Sequence, residues 1–365
     1  MSAKRKTSGH APTVGLVSLG CAKNAVDLQV MAGHLLAAGF EIAPDPARAD
    51  VQLVNTCAFI EEAREEAADE ILRACELKAK GACRAVVVSG CFAQRYGMRL
   101  PELFPDVDAW VGIDALDRIA GVVQSALSDP GQVYFDVDDE RPCRVFDPPV
   151  PELRFTSRAF AYLKIAEGCA HRCAYCAIPA IRGRYRSRTL PSLVAEAKAL
   201  LASGVKEINV IAQDPMLWGV DFPAAEGRPK ATLVTLLKAL DGLEGDFWLR
   251  VLYSYPSEIT DEYVEWLNTS PHAVKYVDVP LQHTDPGVLK AMARGAAAKA
   301  KAVVGRALPA LVVAEGVARL ESQAPEVDGV VCLKPSARGA PPAVGEFVQV
   351  EIEAVKGFDF VGRVL

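Results

Sequence analysis

The chain has 365 residues, of which 51% are apolar and 24% charged. That length allows two or three domains, and that balance excludes a disordered chain, which could not bury enough apolar surface to offset its ordering entropy. A formal net charge of −6 disfavours a protein that wraps its whole surface around nucleic acid, because phosphate binding needs clustered Lys and Arg; a basic partner is easier to accommodate, and RNA contact is possible but not favoured.

Residues 1–12 (MSAKRKTSGHAP) are basic with no apolar stretch behind them, so they read as a flexible tail rather than a secretory leader. No apolar run approaches the roughly 20 residues of a membrane span. The expectation is a cytoplasmic protein with no membrane partner. From 13 to 127, apolar runs at Thr13–Leu19, Val51–Asn55, Ala85–Ser89 and Ala109–Ile113 alternate with helical patterns at Ala25–Ala38, Glu61–Lys80 and Ala115–Ala126. Such alternation predicts an open parallel α/β domain. Residues 128–157 are rich in Asp, Pro and Gly and read as a linker. A second series, Phe160–Ala166, Glu207–Ala212, Phe247–Tyr253 and Val274–Pro280, with helices at Ser192–Ala202 and Thr232–Leu243, predicts part of a β/α barrel over 158–295. Short β-rich runs at Ala307–Val313, Gly329–Leu333, Phe347–Ile352 and Phe358–Val364 predict a small β-barrel over 302–365. The whole is an α/β protein.

Ten cysteines in a cytoplasmic chain point to metal or redox chemistry rather than to disulfides. Cys169, Cys173 and Cys176 form C-x3-C-x2-C directly after a predicted strand. Three thiolates on one tight loop can grip three irons of a 4Fe–4S cube and leave the fourth iron open to a small molecule, whereas zinc would want a fourth Cys or His. His171 lies inside the loop at an awkward spacing for that. Cys21, Cys57 and Cys91 occur in SLGCAKN, VNTCAFI and VSGCFAQ, each just past the C-terminal end of a predicted parallel strand, about one βα repeat apart. Those strand ends border one crevice in an open α/β sheet, so the three thiols can converge there. Cys75, Cys83, Cys143 and Cys332 have no comparable partners and read as small apolar fillers. Gln213, Asp214, Arg250 and Gln282 fall at or beyond predicted strand ends, where barrels collect their polar site groups. The run Arg182–Arg188 is the one locally basic patch, read either as a contact for an anion or as a solvated loop.

The segment AYLKIAEGCAHRCAYCAIPAIRGRYRSR, with Tyr175 just before the third cysteine, resembles the S-adenosylmethionine (SAM) binding segment of the radical SAM superfamily. Together with the upstream trio it resembles the methylthiotransferases of that superfamily. The resemblance implies two 4Fe–4S clusters, one on Cys169, Cys173 and Cys176 and one on Cys21, Cys57 and Cys91, with SAM as cosubstrate. Tyr175, Arg250 and Gln282 are then candidate cofactor contacts, and Gln213 and Asp214 weak catalytic candidates. The cofactors carry the hard chemistry, since an unactivated C–H bond yields to a radical and not to a side-chain base.

Two branches of the family share this architecture. One modifies an adenosine of tRNA and the other the β-carbon of an aspartate in small-subunit ribosomal protein twelve. IAQDPMLWGVD at 211–221, VPLQHTDPGVLKAMARG at 279–295 and SQAPEVDG at 322–329 resemble the protein-modifying branch, as does the closing FDFVGRVL. The last domain resembles TRAM, an RNA-binding module, but carries eight acidic against six basic residues from Ala302 onward. That charge favours a basic protein over RNA as the partner. An external electron donor is implied as well. The chain departs from the family after Gly295, where GAAAKAK stands in place of further strand–helix units. This shortening keeps open a reading as an iron–sulfur protein impaired in catalysis, alongside the tRNA reading and a weaker one as a zinc scaffold.

Overall fold

The computed structural model describes residues 11–138, 141–150, 153–223, 230–283, 285–294, 309–314, 317–320, 331–333, 342–356 and 359–364. The expected tail residues 1–10, the joint at 295–301, the SQAPEVDG segment and the Cys332 side chain lie outside the described parts. The chain divides into two compact units: 1–150 together with Cys176–Arg184, and 151–175 together with 185–365.

In the first unit, β1 (Thr13–Ser18), β2 (Glu41–Ile42), β3 (Val51–Thr56), β4 (Ala85–Gly90), β5 (Ala109–Val111) and β6 (Tyr134–Asp136) form one sheet in the order β2-β1-β3-β4-β5-β6, parallel throughout. The helices are α1 (Ala22–Ala37), α2 (Glu61–Ala79), α3 (Cys91–Tyr96), α4 (Leu100–Leu103) and α5 (Ile119–Ser128). Every residue of β3 and β4 is buried, as unbroken apolar runs in a doubly covered parallel sheet should be. On one face Leu28, Met31 and Leu35 of α1 and Val123 of α5 meet Leu53 and Val87; on the other, Ala67 and Ile71 of α2 and Phe92 of α3 meet Val54, Val86 and Val88. β6 is a correction to the reading of 128–157 as a linker. Tyr134–Asp136 is too short for a sequence signal but completes the sheet edge, and Arg118 holds it through both oxygens of Asp136 at 2.8 and 2.6 Å.

In the second unit, β7 (Phe160–Lys164), β10 (Glu207–Ile211) and β11 (Trp248–Val251) make a parallel sheet in the order β11-β10-β7. A hairpin of β8 (Ala166–Glu167) and β9 (Arg186–Ser187) joins the two ends of the cysteine loop. Outside the sheet lie α7 (Leu190–Ala202), α8 (Leu233–Asp241) and α9 (Asp261–Thr269); the short α6 (Ile178–Ile181), part of the first unit, follows the cysteines, and the short α10 (Pro286–Ala291) comes after α9. Leu163, Ile208, Val210, Leu249 and Val251 face α7, α8 and α9 through Leu193, Leu236, Leu237, Leu240 and Trp266. The register places Tyr162, Asn209 and Arg250 in one row of the opposite face, with Glu207 one step back on the same face. That face is polar and buried.

The fourth expected strand, Val274–Pro280, is not one. Only a parallel bridge, Leu249 to Ala273, continues the ladder. Asp278 instead turns its carbonyl to the Ser254 N–H (2.9 Å) and its carboxylate to the Tyr253 N–H (2.7 Å), which spends its bonding on a loop. The C-terminal strands β12 (Pro309–Ala314), β13 (Val317–Leu320), β14 (Val331–Leu333), β15 (Phe347–Lys356) and β16 (Asp359–Val364) close a barrel in the order β12-β13-β14-β16-β15. It packs on the second unit's sheet through Leu311, which shares a core with Ala159, Trp248 and Val274, and through Phe347, 4.8 Å from Trp248 between ring centroids.

Candidate metal centres

The strand order of the first sheet reverses direction between β1 and β3, the point at which an open α/β sheet binds its ligands at the strands' carboxyl ends. Cys21 follows β1 and caps α1, Cys57 directly follows β3, and Cys91 opens α3 at the end of β4. The structure therefore brings the three cysteines to one edge, close enough that charge on Cys21 and Cys57 raises the Cys91 thiol and charge on Cys21 raises Cys57. Glycines allow the approach. A side chain on Gly20 would meet the Cys57 Cβ at 2.5 Å, and one on Gly90 the Thr56 carbonyl oxygen at 2.5 Å; both have left-handed φ (86° and 95°).

Asparagines and a threonine tie the three loops together. The Asn24 amide donates to the carbonyls of Leu19 (3.0 Å) and Thr56 (2.8 Å), and Asn55 donates to the Asn24 carbonyl at 2.7 Å. Thr56 Oγ1 donates to the Ser89 carbonyl at 2.5 Å and accepts from the Phe92 N–H at 3.3 Å. None of the three was singled out from the sequence. Each stands beside a cysteine in SLGCAKN or VNTC, which was the available signal.

The thiols differ in electrostatics. The surrounding protein strips hydration from the Cys21 thiol and pushes it up although its surface stays open, but Lys23, Arg182 and the Asn24 and Lys23 N–H groups outweigh this and leave the thiol below its ordinary value. The α1 N-terminus adds to this. Its surface is exposed, while Cys57 and Cys91 are buried. Burial raises Cys57, and pushes Cys91 up to about 12. Cys75 and Cys83 are raised by burial to about 11, as expected of inert thiols.

The basic run is corrected. Arg182 and Arg188 are buried, paired with Asp27 at 2.8 Å and Glu196 at 2.6 Å, and only Arg184 is exposed. Arg182 Nη2 also reaches Asn24 Oδ1 (2.5 Å) and Cys91 Sγ (3.4 Å).

In the second unit the cysteine loop leaves the carboxyl end of β7. Cys169, Cys173 and Cys176 are all partly exposed, and Cys176 belongs to the first unit with the segment that follows it. Arg294 Nη1 donates to Tyr175 Oη at 3.0 Å and to Cys173 Sγ at 3.8 Å, and its guanidinium lies 4.4 Å from the Tyr255 ring. His171 stacks on that ring (3.8 Å, 11°) and pairs with buried Asp214 at 2.6 Å. Asp214 also caps the next turn through the Met216 N–H, so both its oxygens hold structure. Tyr175 is half exposed and Gln282 exposed, with a left-handed φ of 68°. Arg250 is buried against Glu207 (2.7 Å) and lies over Tyr276. Gln213 Oε1 and both side-chain polar atoms of Asn209 are buried without a partner among the described residues, and buried orphans of this kind call for a ligand or water.

Three thiols per site suit a cube gripped by separate corners. Among the described residues no three His, Cys, Asp or Glu side chains converge as one ion requires. A cavity of about 540 Å³ lined by Lys198, Lys206, Glu244 and Asp246 lies at the other, N-terminal ends of β10 and β11.

Comparison with known proteins matches residues 13–112 to the uncharacterized protein family UPF0004, 163–310 to the radical SAM superfamily and 304–365 to the TRAM domain. The chain is 43% identical over 295 residues to a protein of Akkermansia muciniphila named ribosomal protein uS12 methylthiotransferase RimO (77% of this chain, 65% of that one). To proteins of the same name from Geobacter sulfurreducens and Pelobacter propionicus it is 43% and 44% identical over 281 residues (77% of this chain, 61% of each). The chain is thus similar to radical SAM methylthiotransferases over most of its length. A radical SAM domain implies a 4Fe–4S cluster and SAM. The chain spans 61 to 65% of the length of those relatives. Among solved structures it resembles in fold the radical SAM methyltransferase TsrM of Kitasatospora setae, at TM-score 0.51 and 18% identity over 78% of this chain and 62% of that one. No described helix is long and apolar enough to cross a membrane.

Proposed function

We propose that this chain is a cytoplasmic methylthiotransferase that modifies an aspartate β-carbon of ribosomal protein uS12, using SAM, an external electron donor and two 4Fe–4S clusters. The observation that carries the reading is the gathering of Cys21, Cys57 and Cys91 at the switch point of the sheet, upstream of the radical SAM loop. The names of the relatives supply the substrate. When bound, the clusters and SAM would supply a radical able to take a hydrogen atom from an unactivated C–H bond, and the methylthio group that replaces it on that carbon. The residues of the chain do the rest. Cys169, Cys173 and Cys176 hold one cluster, with Arg294 donating to Cys173 and fixing Tyr175. Asp214 fixes the His171 ring inside the loop. Asn209 and Gln213 offer unclaimed polar atoms to a polar cosubstrate, with Arg250 in the same row as Asn209 and Gln282 on the loop beyond. The acidic balance of the TRAM region suits a basic ribosomal protein better than tRNA.

Anaerobic reconstitution tests this. The chain should bind two clusters, about eight irons at four per cube; replacing either cysteine trio by alanine should halve that. Loaded protein under strong reductant should release 5′-deoxyadenosine from SAM and methylthiolate uS12 but not tRNA. Iron content unchanged after Cys21, Cys57 and Cys91 are removed would overturn the reading. The three-stranded second sheet and the short length favour one alternative: a chain that loads both clusters yet leaves SAM intact.

A further inference from the structure

Arg182 is an expensive residue to place where it is. Its guanidinium is 1% exposed, as is Asp27, its ion-pair partner at 2.8 Å. Burying such a pair gives no stability that packed apolar side chains would not match, so its retention calls for another reason. One Nη2 reaches three groups of the first unit: Asp27, Asn24 Oδ1 and Cys91 Sγ at 3.4 Å. A neutral thiol needs no buried cation beside it. A thiolate carrying a cluster that takes up an electron does, because hydrogen bonds to the sulfurs and nearby positive charge both favour the reduced form.

We infer that Arg182, held by Asp27 and Asn24, is a positioning residue that donates to the Cys91 sulfur and draws the cluster on Cys21, Cys57 and Cys91 toward its reduced state. The inference rests on the reading that these cysteines hold a cluster. The step concerned is the arrival of one electron from an external one-electron reductant. No bond forms or breaks, and Arg182 keeps its proton, as guanidinium does in proteins. Asp27 offsets part of the cation's effect, so the two side chains act on the cluster with opposite sign.

The test uses full-length protein with Cys169, Cys173 and Cys176 replaced by alanine, so that one cluster remains, titrated with dithionite and mediators and followed by electron paramagnetic resonance. At the parent's midpoint, Arg182→Gln should lower the ratio of reduced to oxidised cluster about tenfold, which is about 59 mV for one electron. Asp27→Asn should raise that ratio, and Arg182→Lys should fall between the parent and Arg182→Gln. A structural role would lower the amount of cluster without moving the two potentials apart. Should Arg182→Gln fail to load, Asp27→Asn still decides, since it keeps the cation. A potential for Asp27→Asn at or below the parent's, or for a loaded Arg182→Gln at or above it, overturns the inference and leaves the cluster reading standing. A parent that binds no iron overturns both.

Discussion

Asn24 does with one amide what three loops need. It bonds Leu19 and Thr56, receives the Cys91 thiol and Arg182, and has Asn55 on its own carbonyl. Asn24→Ala leaves buried carbonyls and a buried guanidinium short of partners, a loss of about 1–3 kcal/mol for each polar group uncovered. We expect lower stability in urea unfolding of the metal-free protein, and loss of iron from this site alone. The thiols should also separate by reactivity. In metal-free protein at pH 7, iodoacetamide should modify Cys21 well before Cys91, read by peptide mass spectrometry, because Cys21 is exposed and its charge is favoured while Cys91 is buried and raised to about 12. Equal rates would contradict the assigned environments. The two cysteine trios could be picked out from spacing together with the family resemblance, and the structure places Cys21, Cys57 and Cys91 after neighbouring strands at one sheet edge. Asn24 and Arg182 could not be picked out, because their partners lie 32 and 155 residues away, and a sequence shows the residue but not the contact.

Raised thiols carry a stability consequence of definite sign. Cys75 and Cys83 titrate at about 11 and Cys91 at about 12 when folded, against an ordinary 9.0. The folded chain holds more protons than the unfolded one between those values, so their contribution is complete below pH 9 and is lost as pH rises through 11 and 12. Metal-free protein should therefore melt at falling temperature above pH 9, and a Cys75→Ala, Cys83→Ala variant should show a shallower fall.

Among the elements, Glu207 on β10 and Arg250 on β11 form a fully buried pair across neighbouring strands. Glu207→Gln breaks this buried pair and should cost about 3–5 kcal/mol, measured by denaturant unfolding followed through tryptophan fluorescence; a change under half of that would show that the pair is dispensable. Long apolar runs made β1, β3, β4, β10 and β11 legible. β2 and β6 escaped because strands of two and three residues at sheet edges have no period to read. VKYVDVP at 274–280 erred the other way. It alternates like a strand, yet the Asp278 carboxylate and carbonyl bind the preceding loop, a competition that alternation cannot register.

For the molecule as a whole, the C-terminal barrel is more than an appendage. Leu311 and Phe347 cover Trp248, which is 9% exposed, and Ser157 Oγ donates to the Val313 carbonyl at 2.6 Å. Deleting residues 304–365 should uncover Trp248, seen as a red shift in its emission and a lower melting temperature; an unshifted spectrum would mean that the barrel covers nothing. Three-domain order was readable from the change in patterning along the chain. The return of Cys176–Arg184 to the first unit was not, since nothing local marks nine residues as belonging with a fold that ends before residue 151.

That return sets a schedule for synthesis. Domains generally fold from the N-terminus as the ribosome delivers them, but this first unit is unfinished when residue 150 emerges. Asp27 lies buried in the part made first, while Arg182, which pairs with it, is translated only later, and by then Cys169, Cys173 and Cys176 have been made as well. On the proposed reading of the two trios, neither has its full surroundings before residue 182 is made, so a nascent chain stalled before that point should be the form most prone to degradation.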